Sequence, residues 1–446
     1  MSFYGDNARI AALATPAGTS ALAVIRCSGN GSIEAVRTIF SASKRLITVP
    51  SHSLVHGWIE YHGEKIDEVL LSVFHAHRSY TGEESIEISC HGGRATVQAI
   101  LNVLHTVGFR EALPGEFTFR AFINGKIDLI KAESVMELVS AQTDQARRRA
   151  VHRLSGSLEQ PLKQLSNRII QILAAVEIQL DYPEDELDST VQAVDSTELN
   201  DIIRELEQLA ESYPYEKLYH EGAFVVIAGS PNAGKSSLFN RLINEERSLV
   251  SAIPGTTRDW IESGYSVEGI PVRLADTAGL HSTQNEVERL GIERSYELLE
   301  KADCIIYLID GLQGFSETDR QFLKTEKYSN VIPLWNKVDV APAQQFKGIS
   351  AKTGVGIPEL GKTLASLLTN GTVYAEERVG IATERQKLCI DQSLKSLYLV
   401  RDTPDTALEL VAPLLREALH AIGELTGTVS TEHLLEVMFS RFCVGK

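Results

Sequence analysis

Residues 229–236 read GSPNAGKS, a spacing of glycines, lysine and serine that suits phosphate chemistry. Backbone N–H groups in such a loop wrap a phosphate chain, and glycines let the backbone approach closely. Asn232, Ala233, Gly234, Lys235, Ser236 and Ser237 are the expected contacts. Lys235 is placed for the β- and γ-phosphates, and the Ser236 hydroxyl for Mg²⁺. The apolar run Phe224–Ile227 precedes the loop as a buried strand, and Leu238, Phe239 and Leu242 follow at helical spacing. The helix N-terminus adds positive potential where the phosphates lie.

Further signals follow in order. Ser251, Ala252, Ile253, Pro254, Gly255, Thr256 and Thr257 form a loop, SAIPGTT, in which Thr257 is placed to ligate Mg²⁺ while a γ-phosphate is present. Ile270–Ala275 reads as a strand carrying Asp276 at its end, and Thr277, Ala278 and Gly279 complete DTAG. The Asp276 carboxylate suits the Mg²⁺ shell through water, and the Gly279 amide suits the γ-phosphate. Two more buried strands, 305–310 and 331–335, lead to Asn336, Lys337, Val338 and Asp339. A fixed Asp carboxylate only accepts hydrogen bonds. Guanine offers N–H donors at positions 1 and 2 and adenine offers none there, so Asp339 selects guanine. Asn336 braces the loop and Lys337 lies over the base. Ser350, Ala351 and Lys352 supply a backbone N–H for the guanine oxygen. The set predicts a GTP site.

Hydrolysis needs a positioned water and neutralised charge at the β/γ bridge. Leu280 stands after DTAG, where many GTPases place Gln, and it can do neither. Asn232 offers an uncharged oxygen for a monovalent cation, and K⁺ there would supply the missing charge. Arg258 is the alternative cation.

The elements around this module divide the 446 residues. Residues 1–121 alternate strand-like and helix-like runs, with ALAVIRCSG, SLVHGWIEYH, VLLSVFHAH and SIEISCHGG as strands and 93–107 as an amphipathic helix. Residues 122–215 and 375–446 have apolar residues three and four apart and read as one discontinuous helical domain. Residues 216–374 are the nucleotide module inserted into it. Breaks are expected near Ser155–Gly156, at Tyr182–Pro183 and after the helix TELNDIIRELEQLAESY. Arg147, Arg148, Arg149 and Arg153 either touch a phosphate backbone or form a solvated face paired with Asp or Glu; the second is expected. Arg26, Glu87 and Lys126 close apolar runs, where they either frame an anionic, nitrogen-rich small molecule or are ordinary surface charge.

Composition sets bounds. Net charge of −16 argues against bulk-charge nucleic-acid binding. No apolar run is long enough for a membrane span, and no secretory signal opens the chain. The five cysteines are scattered, without zinc spacing, which fits a reduced, cytoplasmic protein.

The ordered set GSPNAGKS, GTTRD, DTAG, NKVD and SAK resembles translation-factor-class GTPases. With ATPAGTSALAVIRCSG, YTGEESIEISCHGG, PGEFTFRAFINGKIDL and the terminal FCVGK, the whole chain resembles the MnmE (TrmE) family of tRNA-modification GTPases. The resemblance implies a multidomain α/β and all-α fold: an N-terminal α/β folate-binding and dimerisation domain, a helical bundle, and an inserted Ras-like P-loop GTPase domain. It implies K⁺ ligands at Asn232, the backbone oxygens of Ser251 and Ile253, and Thr256, with Mg²⁺ on Ser236 and Thr257. It assigns Glu288, in NEVERLGIERS, the orienting of the attacking water through a bridging water. It turns Arg26, Glu87, Lys126 and Lys446 into contacts for 5-formyl- or methylene-tetrahydrofolate, with Cys443 beside them as a reactive or a plainly packed thiol. It further implies a homodimer and a flavoprotein partner, MnmG or GidA, acting on the wobble uridine of certain tRNAs. A ribosome-assembly GTPase and a folate aminomethyltransferase with a regulatory GTPase are the competing readings.

Overall fold

The computed structural model describes residues 7–181, 194–245, 263–276, 297–325, 327, 328, 330–371, 380–403 and 407–445. The chain forms two compact units, Met1–Met136 with His420–Lys446, and Glu137–Leu419.

The first unit is built on β1 (Arg9–Leu13), β2 (Leu22–Ser28), β3 (Ser53–Tyr61), β4 (Glu64–Phe74), β5 (Ser85–His91) and β6 (Phe109–Glu111). They form one sheet in the order β3-β4-β5-β2-β1-β6, antiparallel except for the parallel β1–β6 pair. The four expected strands and the helix, Arg94–Thr106, are present. Sequence reasoning missed β1 and β6. RIAAL and FRE are too short, and RIAAL too alanine-rich, to carry a strand signal. Alternation decides the faces. Ile25, Cys27, Leu71, Val73, Ile86 and Ile88 point into a fully buried core with Ile100 and Leu104 of the helix. On the opposite face Ile10 and Ala12 pack with Phe117, from helix Glu116–Ile123.

The second sheet has β7 (Ala223–Gly229), β8 (Ser263–Val267), β9 (Ile270–Asp276), β10 (Cys304–Asp310) and β11 (Val331–Asn336), ordered β11-β10-β7-β9-β8. All neighbours are parallel except the β8 edge. β7 and β10 are buried along nearly their whole length, which explains their unbroken apolar runs. In a parallel α/β sheet the carboxyl ends of the strands are where ligands bind. Here those ends carry Gly229, Asp276, Asp310 and Asn336.

Helices Asp144–Leu154, Glu159–Asp181, Ser196–Glu221 and Glu384–Asp402 belong to the second unit. The break near Ser155–Gly156 is found. The expected stop before residue 215 is not, because helix Ser196–Glu221 runs through Pro214 to Gly222, directly before β7. Packing of the Tyr219 ring beyond the proline offsets the one N–H it lacks. A second difference lies in the arginine cluster. Arg147 and Arg148 are exposed and share Asp144 at 2.7 Å each, as expected. Arg149 and Arg153 are instead buried, with Arg149 on Glu216 (2.6 Å) and Arg153 on Glu216 (2.7 Å) and Glu137 (2.6 Å). Helical periodicity puts Arg149 and Arg153, four residues apart, on the inward face, where only paired charges are tolerated.

Candidate nucleotide-binding site

The phosphate loop is held in a shape that few residues permit. Gly229 has φ 139°. A Cβ on it would lie 2.2 Å from the Leu308 carbonyl oxygen, so only glycine lets the loop leave β7 beside β10. Asn232 is left-handed at φ 63°, a conformation asparagine tolerates, and its side chain is exposed. Ala233 and Lys235 are buried, whereas Ser236 and Ser237 are exposed on the first turn of helix Lys235–Glu245.

Lys235 folds over the loop and donates to the carbonyls of Gly229 (2.9 Å) and Ser230 (3.1 Å). Burial pushes its pKa below the ordinary lysine range, opposed by the nearby Asp276 carboxylate. The Ser236 hydroxyl donates to Asp276 Oδ2 at 2.7 Å. A hydroxyl and a carboxylate this close form an all-oxygen pair of the hard-donor type that suits Mg²⁺.

Asn336 joins the two halves of the site. Its Nδ2 donates to the Ala233 carbonyl at 2.7 Å, and its Oδ1 accepts from the Ala351 N–H at 3.0 Å. The expected brace is therefore present, and it spans the phosphate loop and SAK. It also occupies the Ala351 amide, one of the N–H groups that the sequence offered to a base oxygen. Asp339 is exposed and accepts from the Ser350 hydroxyl at 2.7 Å, a bond that holds its carboxyl below the usual carboxylate range. Val338 N–H donates to the Ile349 carbonyl (3.2 Å), seating the turn. Lys337 is left-handed at φ 71° and its ammonium lies 2.7 Å from the buried Asp310.

Sequence reasoning passed over three residues that build this site. Asp310 holds Lys337 and also caps the Leu312 N–H at 2.9 Å. Arg241 reaches from the helix after the phosphate loop to the carbonyls of Ala351 (3.2 Å) and Lys352 (2.5 Å). Asp319 holds Ser230. Asp310 was legible by position, since it ends its strand as Asp276 and Asn336 end theirs. Ser251, Ala252, Ile253, Pro254, Gly255, Thr256, Thr257, Thr277, Ala278, Gly279, Glu288 and Lys446 lie outside the described residues.

A second cluster lies in the first unit. Arg26 on β2 and Glu87 on β5 are register partners, and the Arg26 guanidinium pairs with Glu87 Oε1 at 2.9 Å. Arg26 also donates to the Gly445 carbonyl at 3.1 Å, so the FCVGK tail reaches this site. The rings of Phe117 and Tyr80 lie 5.7 and 5.9 Å from the guanidinium. Lys126 bonds the His77 carbonyl (2.9 Å), on the turn that also carries Tyr80; no direct contact joins it to Arg26 or Glu87 among the described residues. Glu116 and Arg120, from the PGEFTFRAF stretch, are buried and paired at 2.8 Å, and Arg120 also holds Glu83 (3.1 Å).

Family models match both parts of the chain. Residues 9–126 match the GTP-binding protein TrmE N-terminus, and residues 129–443 match the MnmE helical domain. The chain belongs to the MnmE family. Relatives named tRNA modification GTPase MnmE align end to end. The one from Treponema denticola is 39% identical over 99% of both chains, and that from Carboxydothermus hydrogenoformans 38% over 98% of this chain and 99% of its own. The Treponema pallidum member is 36% identical, again over 99% of each. A solved structure of Era from Aquifex aeolicus, bound to GDP.AlF4-, is 25% identical over 42% of this chain and 70% of its own, with a TM-score of 0.28. The family's three-part make-up accords with the architecture: an α/β unit, helices, and a P-loop sheet within the second unit. No helix among the described residues is long and apolar enough to cross a membrane.

Proposed function

We propose that the chain is a GTP hydrolase acting in tRNA wobble-uridine modification. The observation that carries the GTP reading is Asn336, which ties the loop shaped for phosphates to the loop shaped for guanine through two hydrogen bonds. Asp339 accepts the guanine N–H donors, Lys337 lies over the base, and Lys235 takes the β- and γ-phosphates. Ser236 and Thr257 hold Mg²⁺, with Asp276 in its shell. Asn232, Ser251, Ile253 and Thr256 hold K⁺, which when bound supplies positive charge at the β/γ bridge. Glu288 orients the attacking water.

In this reading residues 1–121, 216–374, and 122–215 with 375–446 are the folate, GTPase and helical parts. Arg26, Glu87, Lys126 and Lys446 hold a formyl- or methylene-tetrahydrofolate that donates the one-carbon unit. The Arg26–Glu87 pair supports this, because a fixed carboxylate and guanidinium suit the donor and acceptor edges of a pterin and the acid of its tail. The chain works as a cytoplasmic homodimer with a flavoprotein of the MnmG/GidA type, adding an aminomethyl-type group to uridine position 5 of certain tRNAs.

Two measurements test the reading. GTP turnover is expected to be faster in K⁺ than in Na⁺ at equal ionic strength; equal rates remove the cation. Nucleoside mass analysis of tRNA from a deletion strain is expected to show loss of the modified wobble uridine. Normal wobble uridines with defective ribosomal subunits would favour the assembly-factor reading instead.

A further inference from the structure

A deeply buried carboxylate beside the phosphate loop comes from an element with no part in the motifs. Asp319 lies on helix Glu317–Lys324 and is 1% exposed. Its two oxygens do different work. Oδ2 accepts from the Ser316 N–H (2.9 Å) and hydroxyl (2.6 Å), closing a capping box at the start of its own helix. Oδ1 accepts from the Ser230 hydroxyl (2.7 Å) and from the Tyr307 hydroxyl (2.9 Å) on β10. Tyr307 is buried and stacked on Phe322 of the same helix, with centroids 4.3 Å apart. The carboxylate is thus fixed by three hydrogen bonds from two residues, Ser316 and Tyr307, besides the one from Ser230.

Ser230 is the second residue of GSPNAGKS. Its carbonyl accepts from Lys235 Nζ at 3.1 Å and from the Ala233 N–H at 3.2 Å. The side chain of Ser230 is therefore anchored from behind, while its backbone oxygen aims the loop lysine.

We infer that Asp319 and Ser230 are positioning residues for the phosphate loop, a rigid brace that sets Lys235 for the β-phosphate. This rests on the GTP-site reading above. Neither residue touches the nucleotide; each acts through the Ser230 carbonyl. Lys235 serves the β- and γ-phosphates and not the α-phosphate. Loss of the brace should therefore weaken GDP and spare GMP, which a general loosening of the fold would not do.

The test uses the full chain and competition of GDP or GMP against a fluorescent guanine nucleotide. Ser230→Ala removes the hydroxyl and leaves the helix cap intact. It is expected to cut the preference for GDP over GMP about tenfold, the scale of one charge-assisted hydrogen bond, with GMP affinity unchanged. Asp319→Ala added to it should lower the preference no further, because the two act as one unit. Ser230→Cys, nearly isosteric with a weak donor, should move the same way and serves if the alanine variant does not fold. An unchanged preference in Ser230→Ala, equal losses for GDP and GMP, or additive losses in the double variant would each overturn the brace. A wild-type chain with no preference for GDP over GMP would instead overturn the GTP-site reading itself.

Discussion

Lys235 shows how a single residue couples fold and ligand. Its ammonium is buried and holds only neutral carbonyl oxygens, so burial lowers its pKa below that of an ordinary lysine. Without ligand this costs stability while the group is charged, a cost relieved as pH rises through the lowered pKa. A bound phosphate favours the ammonium and reverses the preference. Above the ligand-free pKa, GDP binding must therefore take up a proton, and affinity should fall by up to about tenfold per pH unit. Titration of a fluorescent GDP analogue from neutral pH upward reads this directly. Lys235→Arg, charged throughout, should lose affinity less steeply over the same range, keeping only the fall that comes from guanine losing its N1 proton. A wild-type curve no steeper than the variant's would show that Lys235 keeps its proton as ordinary lysines do. Spacing alone marked Lys235 as a phosphate ligand; its lowered pKa depends on its burial in the folded loop.

At the scale of elements, the joint between helix Ser196–Glu221 and β7 is set by buried charge. Glu216 receives Arg149 and Arg153, and also the Gly380 N–H at 3.3 Å, just beyond the nucleotide module. Arg149 also stacks over the rings of Tyr215 (4.9 Å) and Tyr219 (4.4 Å). One carboxylate thus touches both the entry to the module and the exit from it. Arg153→Ala would strand Glu137 as a buried negative charge and leave Glu216 with Arg149 alone. The expected loss is about 3–5 kcal/mol, read as a lower urea midpoint. Arg147→Ala, on the exposed ring of the same helix, should cost less than about 1 kcal/mol. Similar losses in the two variants would contradict the burial assigned here. Sequence reasoning placed all four arginines on one helix and expected them to pair. It put Arg149 and Arg153 in solvent because their partner Glu216 lies more than sixty residues away.

At the scale of the whole molecule, the sheet of the first unit keeps one face incompletely covered. Alternation puts Leu22, Leu54 and Leu70 on the same face as Arg26 and Glu87, where they are 66%, 68% and 44% exposed. A sheet face with several exposed leucines suits association with another surface. In the homodimer reading that surface is a second copy, and Leu70→Glu should convert dimer to monomer in sedimentation while the far-ultraviolet spectrum is retained. A dimer that survives the substitution would place the interface elsewhere. The charged pair on the central strands β2 and β5 would then owe nothing to the partner copy.

The local signals that the sequence carries are those written by neighbours in the chain. Glycines, a lysine and a hydroxyl in one tight loop, apolar runs before it, and an Asn–Lys–Val–Asp turn after a buried strand are all short-range facts, so the phosphate loop, the Asn336 brace and the main strands were legible. Relations between distant segments were not. Asp319 behind Ser230, Glu216 beneath two arginines, and Gly445 against Arg26 join residues separated by 89, 67 and 419 positions. Such pairs form only when the sheets and helices close around them, because a buried charge must find whichever partner the packing brings near.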